Sequence, residues 1–250
     1  MMNTVYYLPK DNNYIEVPQS IYVRTLSTQL QSGFYLTYID QKLTLCHTSS
    51  KLTLCVDFAN VEIQNRIKTN AAKLDLVKAV EGKRKTQLSI LDMTAGLGQD
   101  SFCLASRGHH ITAIEQNPYV FLLVNDGLIR AQQDIKLQDS ASRIRLYFAN
   151  AINFATLDLS HQAYDVIYLD PMFPERLKSA KVKKNMQLLH QLVGIDEQNN
   201  DALFLFAQSF FAKKIVVKRP RLGEFLVGKR PTSQLIAKSS RFDIYASHTT

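Results

Sequence analysis

The chain has 250 residues, 46% apolar and 21% charged, which is ordinary globular usage and excludes general disorder. No apolar run reaches the ~18 residues of a membrane helix, and the first residues lack the basic region and apolar core expected of a signal peptide. The formal net charge of +8 is one-sided: between Arg176 and Arg241 stand 14 Lys and Arg against four acids, a local excess of +10, which favours a polyanion partner over a surface charged only for solubility.

Residues 1–60 differ in character from the rest. Gly33 to Asp40, Leu43 to Cys46 and Lys51 to Val56 are rich in aromatic, Thr and Leu residues and alternate partly between apolar and polar. That pattern predicts half-buried strands joined by polar turns, a small antiparallel β subdomain. Cys46, Cys55 and Cys103 are an odd set with no C-x-x-C spacing. They form neither a disulfide framework nor a zinc site, and they suit a reducing cytoplasm. Residues 61–85 have helical apolar spacing, closed by Gly82 before Lys83-Arg84-Lys85, and predict a helical linker into a second domain at 61–250.

From Gln87 onward strands and helices alternate, the signature of a parallel sheet with crossover helices. Strands are predicted at 88–92, 110–114, 144–148, 164–169, 213–218 and 242–246, with helices near 99–107, 118–133, 182–193 and 201–211. Asn117-Pro118 is a helix start with proline at the first helical position. Together these predict an α/β, Rossmann-like sheet.

Two motifs carry chemistry. The first is Ser89 to Asp100, a short strand ending in Asp92, two glycines at 96 and 98, and a helix start. The glycines allow a sharp turn and a close backbone approach to a ligand, and the helix offers free N–H groups. A dinucleotide fingerprint needs a third glycine where Ser101 stands, so hydride transfer is disfavoured. The next strand ends in Glu115, placed to accept both hydroxyls of a ribose. Asp92, Gly96, Gly98 and Glu115 resemble the S-adenosylmethionine (SAM) site of Rossmann-like, class I methyltransferases. The plain alternative is a βα turn that binds nothing. Asn150-Ala151 follows the third strand, where an adenine edge would lie; a loop Asn is the rival reading. Ligands of open α/β sheets sit outside the carboxyl ends of the strands, so Asp92, Glu115, Asn150 and Asp170 are expected on one rim.

The second motif is Asp170-Pro171-Met172-Phe173-Pro174, directly after a strand. Each proline keeps the residue before it extended, which aims the Asp170 carboxylate and a backbone carbonyl into the cleft beside the Phe173 ring. Two acceptors and a ring suit a planar base with an exocyclic amine: the acceptors orient the nitrogen and the ring stacks on the base. The pattern is similar to the D/N-P-P-Y/F motif of amino-methyltransferases, with Met172 for the second proline.

Taken with Asp92-x-Thr94-Ala95-Gly96-Leu97-Gly98-x-Asp100, Asp126-Gly127-Leu128, Lys183-Lys184, Leu192-Val193-Gly194, Val216-Val217-Lys218-Arg219-Pro220, Lys238 and Arg241-Phe242-Asp243-Ile244-Tyr245, this motif resembles the bacterial small-subunit ribosomal RNA guanine-N2 methyltransferase J family over roughly residues 85–246. The resemblance implies methyl transfer from SAM to N2 of a guanosine in 16S rRNA, on naked rRNA or the small ribosomal subunit, without a metal. It implies cofactor contacts at Gln99-Asp100, Glu115-Gln116, Asn150-Ala151 and Asp170, although Gln99 and Gln116 stand where the family pattern has arginines. Asp170, Pro171 and Phe173 are the expected catalytic set, and Lys183, Lys184, Lys218 and Arg219 the expected phosphate contacts. An N6-adenine or N4-cytosine methyltransferase, or a non-catalytic RNA-binding ribosome assembly factor, are the rival readings.

Overall fold

Leu, Thr and Cys side chains in residues 34–55 build an antiparallel meander whose middle strand, 42–47, is buried on both faces. The computed structural model describes residues 3–10, 14–28, 30–68, 74–83, 86–152, 159, 162–172, 184–193 and 197–246. Its N-terminal sheet comprises β1 (Thr4–Tyr7), β2 (Tyr22–Thr25), β3 (Phe34–Ile39), β4 (Lys42–His47) and β5 (Ser50–Cys55), in the order β2-β1-β3-β4-β5. β3, β4 and β5 are antiparallel, as expected. β1, however, lies parallel to both β2 and β3, so the small sheet is mixed rather than antiparallel. The reason is the long connection between β1 and β2, which returns the chain to the end where it started; parallel neighbours need such a crossover.

Helices α1 (Val61–Lys68) and α2 (Asp75–Glu81) follow the small sheet. The second sheet then follows: β6 (Ser89–Asp92), α3 (Gln99–Ala105), β7 (His110–Glu115), α4 (Pro118–Gln133), α5 (Gln138–Ser142), β8 (Ile144–Phe148), β9 (Tyr164–Leu169), α6 (Lys184–Val193), α7 (Glu197–Ala207), β10 (Ala212–Pro220), β11 (Ser233–Ile236) and β12 (Ser240–Ala246). The strand order is β11-β12-β10-β9-β6-β7-β8, with β8 to β10 parallel and β12 and β11 antiparallel at one edge. The chain winds outward from β6 through β7 to β8, then returns to the other side of β6 as β9. The topological switch therefore falls between β6 and β9, where a ligand crevice opens in such sheets. Among the described residues no helix is long and apolar enough to cross a membrane.

α4 locks the two sheets together. It starts as the sequence indicates: the Asn117 side chain accepts the N–H of Tyr119 at 3.0 Å and of Val120 at 3.3 Å, with Pro118 at the first position. The Tyr119 hydroxyl accepts from Tyr6 N–H at 3.0 Å and donates to the Phe34 carbonyl at 3.3 Å. Asp126 accepts the Leu43 N–H at 3.2 Å and is held by Arg130. One hydrophobic core runs from Val5 and Leu36 through Phe58 to Phe102 and Ile90, and the Phe58 and Phe102 rings stack at 4.2 Å.

Gly127 shows why the Asp126-Gly127-Leu128 stretch is built as it is. A Cβ there would meet Val56 Cγ1 at 2.7 Å and the Val56 carbonyl at 3.0 Å. Glycine inside a helix costs about 1 kcal/mol against alanine, but overpacking a filled contact costs about 1–3 kcal/mol. The close approach wins because part of the obstruction is backbone. Gly127→Ala is therefore expected to lower stability by about 1–2 kcal/mol, read as a fall in the urea midpoint; a rise towards the helix-propensity gain would contradict this packing.

Candidate active site

The strand-end carboxylates converge on the switch point, but they do different jobs. Asp92 is buried, with 1% of its surface exposed. Its oxygens accept the Thr94 N–H at 3.0 Å and the Ser101 hydroxyl at 2.5 Å. Burial pushes its carboxyl up to about 6, against the pull of those two donors. Asp92 thus ties the end of β6 to the start of α3, and it does not line the cleft. Ser101, which breaks the dinucleotide fingerprint, is the residue that makes this tie.

The two glycines also divide. Gly98 caps α3 in the left-handed region at φ 72°, and a Cβ there would stand 3.1 Å from Val124 and 3.2 Å from Phe58. Its smallness serves packing against α4. Gly96, at φ 52°, does line the cleft, and its N–H donates to Glu115 Oε2 at 3.0 Å. Glu115 Oε1 accepts the Asn117 N–H at 2.7 Å. Each carboxylate oxygen has a second lone pair for a further donor. Burial pushes the Glu115 carboxyl up to about 7, opposed by the N–H groups of Asn117, Gly96 and Gln116.

The cleft encloses about 880 Å³ out to its mouth. Glu115 and Gln116 line it with Asn150, Ala151, Ile152, Ile114 and Val120 on the β7–β8 side. Asn150 Oδ1 is occupied by the Ile152 N–H at 3.0 Å, which fixes the side chain. On the β9 side the lining continues through Asp170, Pro171 and Met172 to Leu189, Asn200 and Leu203 of α6 and α7. Asn200, which the sequence pattern did not single out, donates to the Met172 carbonyl at 3.2 Å and braces the motif. Phe173 and Lys183 lie outside the described residues, as does the side chain of Lys184.

Asp170 is held at two points, its backbone and its side chain. Its N–H donates to Thr94 Oγ1 at 2.6 Å, linking the ends of β9 and β6. Its Oδ2 accepts from Lys218 Nζ at 2.6 Å, and its side chain keeps 34% of its surface open. Lys218 also donates to Asp100 Oδ2 at 3.1 Å. Asp100 is further engaged by Arg66 at 2.7 Å and the Tyr168 hydroxyl at 2.6 Å. Burial opposes ionisation of Asp100, but Lys218, Arg66 and Tyr168 outweigh it and hold the carboxyl down to about 2. Burial pushes Asp170 up to about 6, against the opposing pull of Lys218. Of the two carboxylates that share Lys218, Asp100 is the more acidic.

The geometry departs from the expected contacts at Lys218, Arg219, Gln99 and Asp100. Lys218 is not a free phosphate contact, because its ammonium is committed to Asp100 and Asp170. Arg219 is buried at 8% exposure and donates to the Glu224 carbonyl, so its guanidinium is internal. Alternation along β10 turns Arg219 inward on one face and Lys218 towards the rim carboxylates on the other. Gln99 and Asp100 open α3 but do not line the cleft; Asp100 bonds to Lys218 instead.

The residues present fit SAM. The Glu115 oxygens suit a ribose diol, Gly96 leaves room beside it, and Ile114, Val120 and Ile152 offer an apolar slot for a purine beside Asn150 and Ala151. Comparison with known proteins agrees. The SAM-dependent methyltransferase family model (SAM_MT) matches residues 21–247. The chain is 45% identical over 217 residues to ribosomal RNA small subunit methyltransferase J of Francisella philomiragia, covering 86% of this chain and 89% of that one. It is 44% identical over 210 residues to the protein of the same name from Francisella tularensis subsp. novicida, covering 84% and 86%. The crystal structure of a SAM-dependent methyltransferase from Neisseria gonorrhoeae superposes with a TM-score of 0.77 at 33% identity, covering 98% of this chain and 97% of that one. With that fold, cleft and likeness, the chain belongs to the SAM-dependent methyltransferases, in the ribosomal RNA small subunit methyltransferase J family.

Proposed function

We propose that this chain transfers a methyl group from SAM to the exocyclic N2 amine of a guanosine in 16S rRNA, acting in the cytoplasm on the small ribosomal subunit or its RNA. The observation that carries the reading is the Asp170 carboxylate, one third open, beside Pro171 in the cleft that Glu115 also lines. The names of the relatives supply the RNA.

Bound SAM supplies an electrophilic methyl on its sulfonium. Glu115 takes the ribose hydroxyls as acceptor, and Asn150 and Ala151 border the adenine. Guanine N2 is a poor nucleophile, because its lone pair is delocalised into the ring. Asp170 and the Pro171 carbonyl would accept its N–H bonds and aim the lone pair at the methyl carbon, an orientation effect; the N–C bond forms as the methyl–sulfur bond breaks, S-adenosylhomocysteine leaves, and the surplus N2 proton passes to Asp170 or to water. Phe173 follows directly in sequence and is proposed as the stacking ring. A paired guanine must first be flipped out of its stack.

With Lys218 and Arg219 internal, the phosphate contacts are assigned to exposed cations at the same rim. β10 ends there, and Arg221 follows it; its N–H donates to the Ser239 carbonyl at 3.3 Å, which brings it beside Lys238 in the β11–β12 turn. Lys183 and Lys184 remain proposed contacts from the sequence.

The direct test is transfer of labelled methyl from SAM to naked 16S rRNA and to isolated small subunits, with the product nucleoside identified by mass spectrometry. N2-methylguanosine is expected, with Asp170→Asn slower by about 10²–10³-fold; a different methylated nucleoside would overturn the target assignment. SAM affinity should tighten as pH rises through about 7, since the ionised Glu115 is the form that accepts the ribose hydroxyls. Calorimetry on Glu115→Gln should find affinity about 10–100-fold weaker and that pH dependence gone; an affinity flat from pH 6 to 8 in the unsubstituted chain would remove Glu115 from the cofactor site. Replacing Arg221 and Lys238 by Ala should lower the slope of log affinity for RNA against log salt by about 2. A filter-binding series with an unchanged slope would move the RNA elsewhere.

A further inference from the structure

The rim holds a cation that no cofactor or substrate contact requires. Lys218 Nζ sits 2.6 Å from Asp170 and 3.1 Å from Asp100, and its side chain is only 29% exposed. A lysine needed only to neutralise one buried acid would not be shared. Here one ammonium is divided between a carboxylate open to the cleft and one that faces away from it. We infer that Lys218 is a positioning residue for methyl transfer, and that its division between Asp170 and Asp100 sets the direction and charge of the Asp170 carboxylate presented to the amine. This rests on the role proposed above for Asp170.

The geometry supports it in three ways. Among the described residues Asp170 Oδ2 carries the Lys218 ammonium, which leaves Oδ1 as the less encumbered acceptor for an amine N–H. The Asp170 N–H is pinned by Thr94 at 2.6 Å, so backbone and side chain are fixed independently. Asp100 is itself anchored by Arg66 from α1 and Tyr168 from β9, so Lys218 is held from behind by a fixed charge. Among the described residues, the charged and titratable groups facing Asp170 are Lys218 of β10, Asp100 and, behind it, Arg66 and Tyr168, with Asp92 at the end of β6. Removing Lys218 deprives Asp170 of its nearest cation, whereas removing the charge of Asp100 gives it a larger share of that cation. The two changes must therefore act on Asp170 in opposite directions, which a merely structural network would not do.

The test compares Lys218→Met, Lys218→Arg and Asp100→Asn in single-turnover methyl transfer to 16S rRNA across pH 5–9, with SAM affinity measured alongside. Lys218→Met is expected to lose about 100-fold in rate at pH 7, with the acid limb of its pH–rate profile moved upward by about one unit or more. Lys218→Arg should recover to within about tenfold of the unsubstituted chain. Asp100→Asn should move the acid limb downward. Acid limbs unmoved in both Lys218→Met and Asp100→Asn, or moved the same way, overturn the inference. If Lys218→Met does not fold, Asp100→Asn decides: a limb that stays or rises overturns it. Failure of the unsubstituted chain to methylate any RNA would instead count against the proposed function, so the two failures are told apart.

Discussion

The ammonium of Lys218, shared between Asp100 and Asp170, is the interaction on which the rim depends. Two carboxylates this close cannot both stay ionised in a buried site without a cation between them. Because Asp100 is also satisfied by Arg66 and Tyr168, it stays the acidic partner, and Asp170 is left as the one whose charge responds to its surroundings. The network joins α1, α3, β9 and β10, so the carboxylate at the cleft is held by four separate elements rather than by its loop alone. Removing one member of such a set leaves a buried charge without a partner, which is strongly destabilising.

The sheet order explains why these groups meet. Winding outward from β6 and returning as β9 puts Asp92 and Asp170 on adjacent strand ends, and the Thr94–Asp170 bond closes the seam. Glu115 stands one strand away, across Gly96. The small N-terminal sheet contributes nothing to the cleft lining. It backs α4 instead, through Tyr119, Asp126 and the close Gly127–Val56 contact, and its Phe58 fills the space that Gly98 leaves. The turn that carries Gly96 is thereby braced from behind.

Much of this was legible in the chain itself. Parallel strands buried on both faces read as apolar runs, which suits the central β6, β7 and β9; these, with β8, β10 and the antiparallel β12, lie within a few residues of their expected bounds, and Asn117-Pro118 marks the start of α4 correctly. The four-residue strands β1, β2 and β11 and the short α5 carry too little periodicity to register, and the parallel pairing of β1 follows from a long connection that local pattern does not encode. At the site, strand ends were enough to bring Glu115, Asn150 and Asp170 together. They were not enough to separate Asp92, which turns inward to Ser101, from the residues that face the cleft. Lys218 and Arg219 looked like phosphate contacts because charge in a sequence does not name its partner; the carboxylates that share Lys218 are 118 and 48 residues away. Tyr168, Arg66 and Asn200 went unnoticed for the same reason.

Glu115 and Asp170 are assigned to neighbouring groups of one ligand, the first to the cofactor's ribose and the second to the reacting methyl on the sulfonium that the ribose C5′ carries. A crystal structure of the chain with S-adenosylhomocysteine tests this most directly. Both ribose hydroxyls are expected within hydrogen-bond distance of the Glu115 carboxylate, the adenine bordered by Asn150 and Ala151, and the sulfur facing the Asp170-Pro171 backbone with the Lys218–Asp170 ion pair intact. A ribose seated on Asp92 or Asp170, or a cofactor lying outside the Glu115 cleft, would contradict it.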